Sequence, residues 1–435
     1  TAPTEIYTLS LHDALPIWLA GLTAAATLAR DGHPVTVVEG AAHPGGRARS
    51  RHREGIDLNL GPHALYRAGG GLDVLRGLGV RPRGRLPRLD RAGVWADGGV
   101  VPALRHLRTG VRDRMRVARA LGGLGRGAAS AWAGRPVAEW LDDTTDDPAG
   151  RALLASVIRT ATYSADTNLL DAGAATSQLR AAMHGVLYLH HGWSSLVDAL
   201  AEVVRAGGGE ILTGTPVEAI EHDDRGVDAV RLADGRTLRA SGAVVAVNDP
   251  RRAASLLGGD AARRVAAAAD DAIPVRMAHL DLALRPLPSP RFTAVLGIDD
   301  PIFVTVPSSV ADIAPRGGAV VHVARYLRPG EEHADHRPLL EAVLDAHQPH
   351  WRDHVIDARY VPRSLVTGDH ARPVTRGVLG RPGAGLAGVR GLALAGDWVG
   401  PTGMLADAAI VSGSVAAQRV AADMLDRVHG SALAS

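Results

Sequence analysis

The sequence predicts an α/β fold, in which helices cover a parallel sheet and an α+β region is interleaved along the chain. Three separated segments lead to this prediction. Residues 19–39 have the pattern of a helix followed by a buried strand, which is half of a βαβ unit. Residues 190–258 follow a helix with several short strands. Residues 392–430 join a strand to a long helix through a glycine-rich loop.

Local patterns predict the individual elements of these segments. The Ala-rich residues 19–30 favour a helix, and Gly32 is typical of a helix C-terminus. The apolar, β-branched run Val35–Glu39 indicates a buried parallel strand. Because a βαβ unit needs a strand before its first helix, we expect that strand upstream of Trp18. Further strands are predicted at Ala243–Val247 and Leu392–Ala395.

The composition limits the classes of function. A chain of 435 residues that is 46% hydrophobic can bury a large core, which we expect to divide into two domains. The net charge of +2 gives no general argument for nucleic-acid binding. The absence of cysteine excludes disulfides, thiolate metal sites and cysteine nucleophiles. Since no apolar run reaches the roughly 18 residues of a membrane span, we expect a cytoplasmic protein, soluble or bound to a membrane surface.

A basic segment at residues 76–126 contains thirteen Arg and three Asp. Within it, residues 105–121 have apolar and Arg positions at helical spacing. One interpretation is a basic amphipathic helix that contacts an anionic membrane surface. The other is a helix that packs on its own core and exposes its arginines to solvent. The predicted apolar face comprises Leu107, Val111, Met115, Ala118 and Leu121.

The first candidate binding element pairs Gly21, near the start of the first helix, with Glu39, at the end of the next strand. A glycine there permits close helix–strand packing, and a helix N-terminus favours a pyrophosphate. An acid that ends the second strand can accept hydrogen bonds from ribose hydroxyls. The alternative is that Gly21 serves only packing and that Glu39 is solvated.

The second candidate element is the sequence HPGGRARS. Adjacent Gly45 and Gly46 let the backbone approach a ligand closely, and Arg47 can hold a phosphate. The alternative is a glycine turn with a surface arginine.

The third candidate element follows the predicted strand Leu392–Ala395. Gly396 and Asp397 enter a loop, and Gly403 and Met404 stand at the start of the last helix. A carboxylate in that loop can accept a hydrogen bond from a ribityl hydroxyl, while the helix N-terminus can stabilise negative charge on a reduced ring. The alternative for Asp397 is a turn or helix cap.

Together, these motifs resemble the superfamily of FAD-dependent amine oxidases and phytoene desaturases. The resemblance implies a Rossmann-like FAD-binding domain that holds FAD through the three elements. It further implies that Gly61 and Pro62 face the flavin and that backbone groups at Val217 contact the adenine. The FAD-binding domain would comprise residues 18–75, 190–258 and 385–430, and the α+β substrate domain would comprise residues 76–189 and 259–384.

The resemblance implies an FAD-dependent oxidoreductase. Many amine oxidases place a lysine beside the flavin, and this chain has none. Only fifteen residues are aromatic, which makes an aromatic amine cage harder to build. We therefore expect hydride transfer from a small apolar or isoprenoid-like substrate. An amine oxidase, a protoporphyrinogen oxidase-like enzyme, and a non-catalytic lipid-binding module of the same fold stay open as alternatives.

No catalytic residue is assigned from the sequence. If the resemblance holds, His63 and Trp398 lie close to the flavin, and His63 could tune it or relay a proton. For both residues a structural role is the alternative. No metal is expected at His190 and His191, because adjacent side chains on a strand point to opposite faces.

The N-terminal stretch Thr4–Ile17 (TEIYTLSLHDALPI) is similar to one reading frame of a common short-read sequencing adapter. We therefore expect residues 1–17 to be an artefact that replaces a strand and two glycines. Pro16 and Trp18 stand at those glycine positions, where side chains would crowd a pyrophosphate. The chain as printed is thus expected to bind FAD poorly, although residues 6–11 can still fill the strand position.

Overall fold

The computed structural model describes residues 6–10, 18–103, 111–124 and 128–432. The strands are β1 (Ile6–Ser10), β2 (Val35–Glu39), β3 (Ser50–Arg53), β4 (Ile56–Asn59), β5 (Leu65–Tyr66), β6 (Gly84–Arg85), β7 (Ala92–Ala96), β8 (Gly99–Pro102), β9 (Val186–Leu189), β10 (Glu210–Leu212), β11 (Val217–Asp223), β12 (Gly226–Leu232), β13 (Thr237–Arg239), β14 (Gly242–Ala246), β15 (Val275–Leu284), β16 (Ala294–Gly297), β17 (Ile302–Thr305), β18 (Ala319–Leu327), β19 (Val355–Thr367) and β20 (Leu392–Ala395).

The α-helices of the described residues are α1 (Trp18–Arg30), α2 (Gly70–Gly77), α3 (Val111–Gly122), α4 (Ala128–Trp132), α5 (Val137–Thr144), α6 (Pro148–Thr162), α7 (Ala172–Met183), α8 (Ser194–Ala206), α9 (Pro250–Ser255), α10 (Gly259–Asp270), α11 (Arg337–His347) and α12 (Leu405–Ala432). Within this part of the chain, no helix combines the length and the apolar character that crossing a membrane requires.

A five-stranded parallel sheet, in the order β10-β2-β1-β14-β20, forms the predicted α/β part. The strands β2, β14 and β20 match their sequence predictions to within one residue at each end. The backbone of β1 pairs with β2 on one side and β14 on the other, so residues 6–10 fill the expected strand position. Helix α1 packs against α8 and α12.

Glycine makes one of these helix contacts possible. A Cβ atom at Gly413, in α12, would overlap the carbonyl oxygen of Ala20 in α1. The two helices therefore approach through their backbones, which fixes α1 beside the parallel sheet.

A small antiparallel sheet of β11, β12 and β13 continues from the parallel region. A turn at Asp234-Gly235 joins β12 to β13, and Gly235 has a φ of +87°.

The α+β part is built on a seven-stranded sheet in the order β19-β15-β18-β17-β16-β7-β8. All neighbouring pairs are antiparallel except β16 and β7. Because β7 and β8 come from residues 92–102 and the rest from 275–367, the sheet joins distant parts of the chain. Helix α11 buries Leu340, Val343 and Leu344 against its strands.

The predicted apolar face of the basic helix is wrong at Met115 and Ala118 and is confirmed at Leu121. Met115 is 61% exposed, and Ala118 is also exposed. Leu121 packs as predicted on the core formed with α5, α6 and α7, together with Val117 and Ala120, which the prediction did not include. The core-facing stripe is therefore rotated away from Met115, because burial follows the position of the neighbouring helices. Residues 105–110 of the prediction lie outside the described residues.

Candidate active site

The carboxyl edge of the parallel sheet brings the three candidate elements together. Helix α1 starts at Trp18 beyond β1, Glu39 ends β2, and Gly396 follows β20. The strands are parallel, so their carboxyl ends lie at one edge, where open α/β sheets bind nucleotides. Gly21 lies in the first turn of α1 and is buried. Pro16 lies outside the described residues.

Glu39 and Val217 are close along this edge. Glu39 is fully buried, and its Oε1 accepts a hydrogen bond from the backbone N–H of Ala41 at 2.5 Å. Its backbone carbonyl accepts one from the N–H of Thr215 at 2.8 Å. Two residues later, Val217 is buried at the start of β11. The acid and the adenine-contacting position implied by the resemblance thus lie on adjoining segments.

The second element forms a tight turn. Gly45 and Gly46 have φ values of +108° and +48°, in the left-handed region that favours glycine. A Cβ at Gly45 would lie 3.0 Å from a methyl carbon of Val197 in α8. The turn therefore requires glycine, and it directs the next residue, Arg47, inward, where it is buried.

Arg47 is held by protein groups on three sides. Its guanidinium lies 3.1 Å from Oδ2 of Asp397 and donates to the carbonyl oxygens of Leu365 and Val366. Burial lowers the pKa of Arg47, and the Asp397 charge opposes that shift. The second and third elements are thus joined by a buried ion pair, which the sequence interpretation did not include.

Asp397 is fully buried between two arginines. Its Oδ1 accepts a hydrogen bond from the N–H of Gly368 at 3.2 Å. Burial raises its pKa, while the charges of Arg47 and Arg381 act in the opposite direction. Arg381 donates to the carbonyl oxygen of Gly403 at 3.0 Å, and burial lowers its pKa to about 10. Two buried cations therefore flank one carboxylate beside the start of α12.

Gly403 and Met404 lead into that helix. Gly403 has a φ of +71°, and a Cβ there would clash with the carboxylate of Asp407 in the first turn. Met404 is buried against the cluster that includes Trp140 and Leu154.

The turn at Gly61, Pro62 and His63 is fixed by three hydrogen bonds. The N–H of Gly61 donates to Oδ2 of Asp281 at 3.1 Å, and Nδ1 of His63 lies 2.9 Å from the carbonyl oxygen of Gly61. The hydroxyl of Tyr163 donates to the carbonyl oxygen of Pro62 at 2.9 Å. Gly61 has a φ of +95°, and a Cβ there would lie 3.0 Å from Cε of Met277.

Behind this turn lies a buried cluster that the sequence interpretation missed. Oδ1 of Asp281 lies 3.0 Å from Nδ1 of His279 and 2.8 Å from Nδ1 of His322. Burial alone would raise the pKa of Asp281, but the interactions with both histidines outweigh it and lower the pKa well below its usual range. A signal was present, because His279 and Asp281 lie two residues apart in an apolar strand and so share a face.

A cavity of about 590 Å³ lies between these elements. Arg47, Pro62 and His63 line it. Most of the other lining side chains are apolar, and among the described lining residues none is Asp or Glu. One third of the chain's fifteen aromatic residues contribute to the lining: Tyr66, Tyr163, Tyr188, Trp193 and Phe303.

The residues present fit FAD. Two buried donors, Nε1 of Trp193 and Nε of Arg381, have no hydrogen-bond partner in the described part of the chain. Trp193 lines the cavity, and Arg381 lies at the loop before α12. Unsatisfied buried donors are costly, so both favour a ligand that carries acceptor atoms. Arg47, Asp397 and Glu39 add the charged and acceptor groups that a ribityl chain, a phosphate and a ribose use.

Trp398, His190 and His191, which the sequence also singled out, have contacts or backbone conformations that fit a structural role. Trp398 is buried, and its indole N–H donates to the carbonyl oxygen of Val247 at 2.7 Å. His190 accepts at Nδ1 from the N–H of Asp312 at 2.9 Å, and His191 has a φ of +60°. Across the ranges described above, no group of three His, Asp or Glu residues is arranged to hold a metal ion.

Known proteins share both the sequence pattern and the fold. The family model described as flavin containing amine oxidoreductase matches residues 19–265, which is more than half of the chain. No curated protein matches the chain in sequence.

Several solved structures share the fold at low sequence identity. An oxidoreductase from Methanosarcina mazei is 19% identical with a TM-score of 0.73, over 96% of this chain and 100% of that chain. Putrescine oxidase bound to putrescine is 13% identical with a TM-score of 0.69, over 97% and 99%. Cyclohexylamine oxidase from Brevibacterium oxydans is 17% identical with a TM-score of 0.64, over 98% and 99%.

Proposed function

The chain belongs to the family of flavin-containing amine oxidoreductases and is an FAD-dependent oxidoreductase, and we propose that it oxidises an apolar, isoprenoid-like substrate. Bound FAD supplies the acceptor for a hydride. The chain supplies the binding site, the orientation of the substrate and the exclusion of water. The proposal concerns which substrate the cavity accepts.

The lining of the cavity carries this proposal. A protonated amine needs a carboxylate or a set of acceptors, and no carboxylate lines the described cavity walls. Arg47, which is cationic, would instead repel such a substrate at close range. Apolar side chains such as Leu296, Met277 and Leu405 favour a hydrocarbon through burial of its surface.

An amine substrate is the second candidate, and the aromatic side chains favour it. Tyr66, Tyr163 and Tyr188 lie in the same cavity, and aromatic faces attract cations. The structural neighbours putrescine oxidase and cyclohexylamine oxidase are named for amines. The aromatic residues that the composition suggested were too few are thus concentrated where an amine would bind.

The first experiment tests FAD binding. We expect the chain to take up FAD weakly, and Pro16→Gly with Trp18→Gly to bind it at least about tenfold more tightly, or about 1.4 kcal/mol. Flavin fluorescence quenching measures the two affinities. A protein that cannot be reconstituted with FAD, with or without the two glycines, would contradict the enzyme assignment.

The second experiment separates the substrates. The FAD-loaded protein is mixed without oxygen with phytoene in detergent, putrescine, cyclohexylamine or protoporphyrinogen, and loss of the visible flavin absorbance is followed. We expect phytoene to bleach the flavin and the two amines to leave it oxidised. Bleaching by an amine alone would replace the apolar-substrate proposal with the second candidate.

A further inference from the structure

Oxidation of a hydrocarbon leaves a proton that must be accepted. When two neighbouring carbons each lose a hydrogen, one hydrogen leaves as a hydride and the other as a proton. The chain has no lysine, and no carboxylate lines the described part of the cavity. The proton acceptor must therefore be a hydroxyl or an imidazole, or solvent.

The three tyrosines of the cavity are poor acceptors. The hydroxyls of Tyr66 and Tyr163 donate to the backbone carbonyl oxygens of Ala161 and Pro62, at 2.8 and 2.9 Å. Tyr188 shares a hydrogen bond of 2.8 Å with the hydroxyl of Thr305. Burial raises the pKa of Tyr66 to about 12 and also raises the pKa of the other two tyrosines. All three therefore hold their protons at neutral pH.

His63 lines the cavity and has a ring nitrogen whose lone pair no described residue uses. Its Nδ1 faces the carbonyl oxygen of Gly61, which can only accept, so Nδ1 must carry the hydrogen. A neutral imidazole in this tautomer has an unprotonated Nε2. Nε2 makes no hydrogen bond to any described residue, and the side chain lines the cavity. His184 also lines the cavity, but it is exposed to solvent.

The surroundings of His63 keep it in place and neutral. Its ring packs against Trp193 with a centroid distance of 4.9 Å, and Asp281 and Tyr163 fix the turn that carries it. Burial lowers the pKa of His63 to about 4. The Gly61 carbonyl and Asp281 act to raise it, whereas the charges of His322 and Arg47 act to lower it. His63 is consequently unprotonated at pH 7.

We infer that Nε2 of His63 accepts the proton that the substrate releases during oxidation, an inference that rests on the proposed function. One C–H bond breaks and its hydrogen leaves with both electrons to bound FAD. The neighbouring C–H bond breaks, its electron pair forms the C=C bond, and its proton moves to Nε2. The substrate is oxidised by two electrons, FAD is reduced by two, and His63 becomes an imidazolium until it releases the proton.

The kinetic test uses His63→Gln, whose side-chain amide can occupy a similar volume but cannot take a proton. In the protein that carries glycine at positions 16 and 18, we expect His63→Gln to leave the FAD affinity unchanged and to slow anaerobic bleaching by phytoene about a hundredfold or more, as for loss of a general base. The matched control is His336→Gln, because His336 is buried and, like His63, contacts a backbone carbonyl, that of Glu331, at 2.8 Å. The control should bleach at the wild-type rate.

A second readout needs neither FAD nor substrate. NMR of nitrogen-labelled histidine, with the His63 signals assigned by their loss in His63→Gln, reports the protonation of each ring nitrogen. We expect the Nδ1–H tautomer with Nε2 unprotonated at pH 7. A protonated Nε2 in the free protein would overturn the inference even if the variant does not bind FAD.

The outcomes separate this inference from the function on which it rests. If phytoene bleaches wild type and His63→Gln at similar rates, the role of His63 is wrong and the apolar substrate stands. If phytoene does not bleach FAD-loaded wild type, the proposed substrate fails and the role of His63 fails with it. A hundredfold slower His63→Gln, together with the expected tautomer, supports both.

Discussion

Two buried carboxylates near the cavity have different partners, and their pKa values shift in opposite directions. In the first, which we call the arginine cluster, Asp397 lies between Arg47 and Arg381. In the second, the histidine cluster, Asp281 contacts His279, His322 and the N–H of Gly61. Both carboxylates are fully buried, yet burial raises the pKa of Asp397 whereas the histidines lower that of Asp281.

The partners of each carboxylate indicate a different role for each cluster: cofactor binding for the arginines and proton handling for the histidines. Guanidinium groups keep their charge at all physiological pH values, so the arginine cluster holds two cations against one anion. Such a cluster suits the anionic and acceptor groups of a bound cofactor. Imidazoles change their protonation near neutral pH, so a histidine cluster suits the handling of protons. The turn of Gly61 to His63 contacts the histidine cluster directly.

The largest expected effect compares the same substitution in the two clusters. Asp397→Asn leaves Arg47 buried without its counter-charge, which should cost about 3–5 kcal/mol of the free energy of unfolding. Asp281→Asn removes a carboxylate whose partners are two imidazoles and a backbone N–H, and it should cost about 1–3 kcal/mol, chiefly from one unsatisfied donor. Urea unfolding without FAD measures both values.

An exposed ion pair provides the control for these substitutions. Asp228 lies 2.6 Å from Arg239, and both side chains are exposed. Asp228→Asn should cost less than about 1 kcal/mol. Equal losses for Asp397→Asn and Asp281→Asn would show that burial alone, and not the charge of the partner, sets the cost.

The next effect concerns FAD affinity and tests the role of the arginine cluster. Arg47→Met removes a charge-assisted donor, worth about 1.5–3 kcal/mol, so we expect about tenfold to a hundredfold weaker FAD binding. Arg231→Met is the control, because Arg231 pairs with Glu218 at an exposed position. Fluorescence titration measures both affinities, in the protein that carries glycine at positions 16 and 18. If Arg47→Met binds FAD with unchanged affinity, Arg47 serves only to neutralise Asp397 and does not contact the cofactor.

The two clusters also differ in how far the sequence predicted them. Glu39 ends a strand, Gly45 lies in a glycine turn, and Asp397 comes two residues after a strand. Each has a strong local sequence pattern, so the sequence indicated the edge of the parallel sheet. Asp281 and His322 lie on neighbouring strands, 41 positions apart in the sequence, and their contact depends on sheet register. No local pattern specifies that register. The prediction of the apolar face of α3 was wrong at Met115 and Ala118 for a similar reason, since the neighbouring helices decide which side of the helix is buried.

The pH dependence of stability should include a contribution from His63, on the histidine side of the cavity. His63 has a pKa of about 4 in the folded protein and about 6.5 when unfolded, so its contribution is present above pH 6.5. That contribution is lost as pH falls from 6.5 towards 4, because the unfolded chain binds the proton first. The groups that act on His63 are Asp281, His322 and Arg47.

The measurement compares free energies of unfolding at pH 7 and pH 5. We expect wild type to lose about 1 kcal/mol more than His63→Gln over this interval, after allowance for the partial exposure of the ring. His370, whose pKa is also lowered to about 4 by burial, keeps a similar dependence in both proteins. Identical pH profiles would mean that His63 titrates normally.

The smallest expected effect is on membrane binding by surface arginines, which have the same charge as Arg47 but are exposed. Arg116 and Arg119 of α3 are exposed beside exposed Met115, and we propose that this face contacts anionic lipid. Each such arginine should contribute about 1 kcal/mol, so Arg119→Gln should weaken binding to phosphatidylserine vesicles about fivefold. Arg239→Gln, at the exposed pair with Asp228, should not change it.

Salt then separates the surface arginines from the buried ones. Binding through exposed charges is screened, so raising the ionic strength should abolish vesicle binding and leave the unfolding energy difference between Asp397→Asn and wild type nearly unchanged. Vesicle co-sedimentation and urea unfolding at low and high salt give the two comparisons. If vesicle binding survives high salt, the contact is apolar, and Met115 rather than the arginines carries it. If the Asp397→Asn penalty collapses with salt, water reaches the arginine cluster, and its excess positive charge is no longer a reason to expect an anionic ligand there.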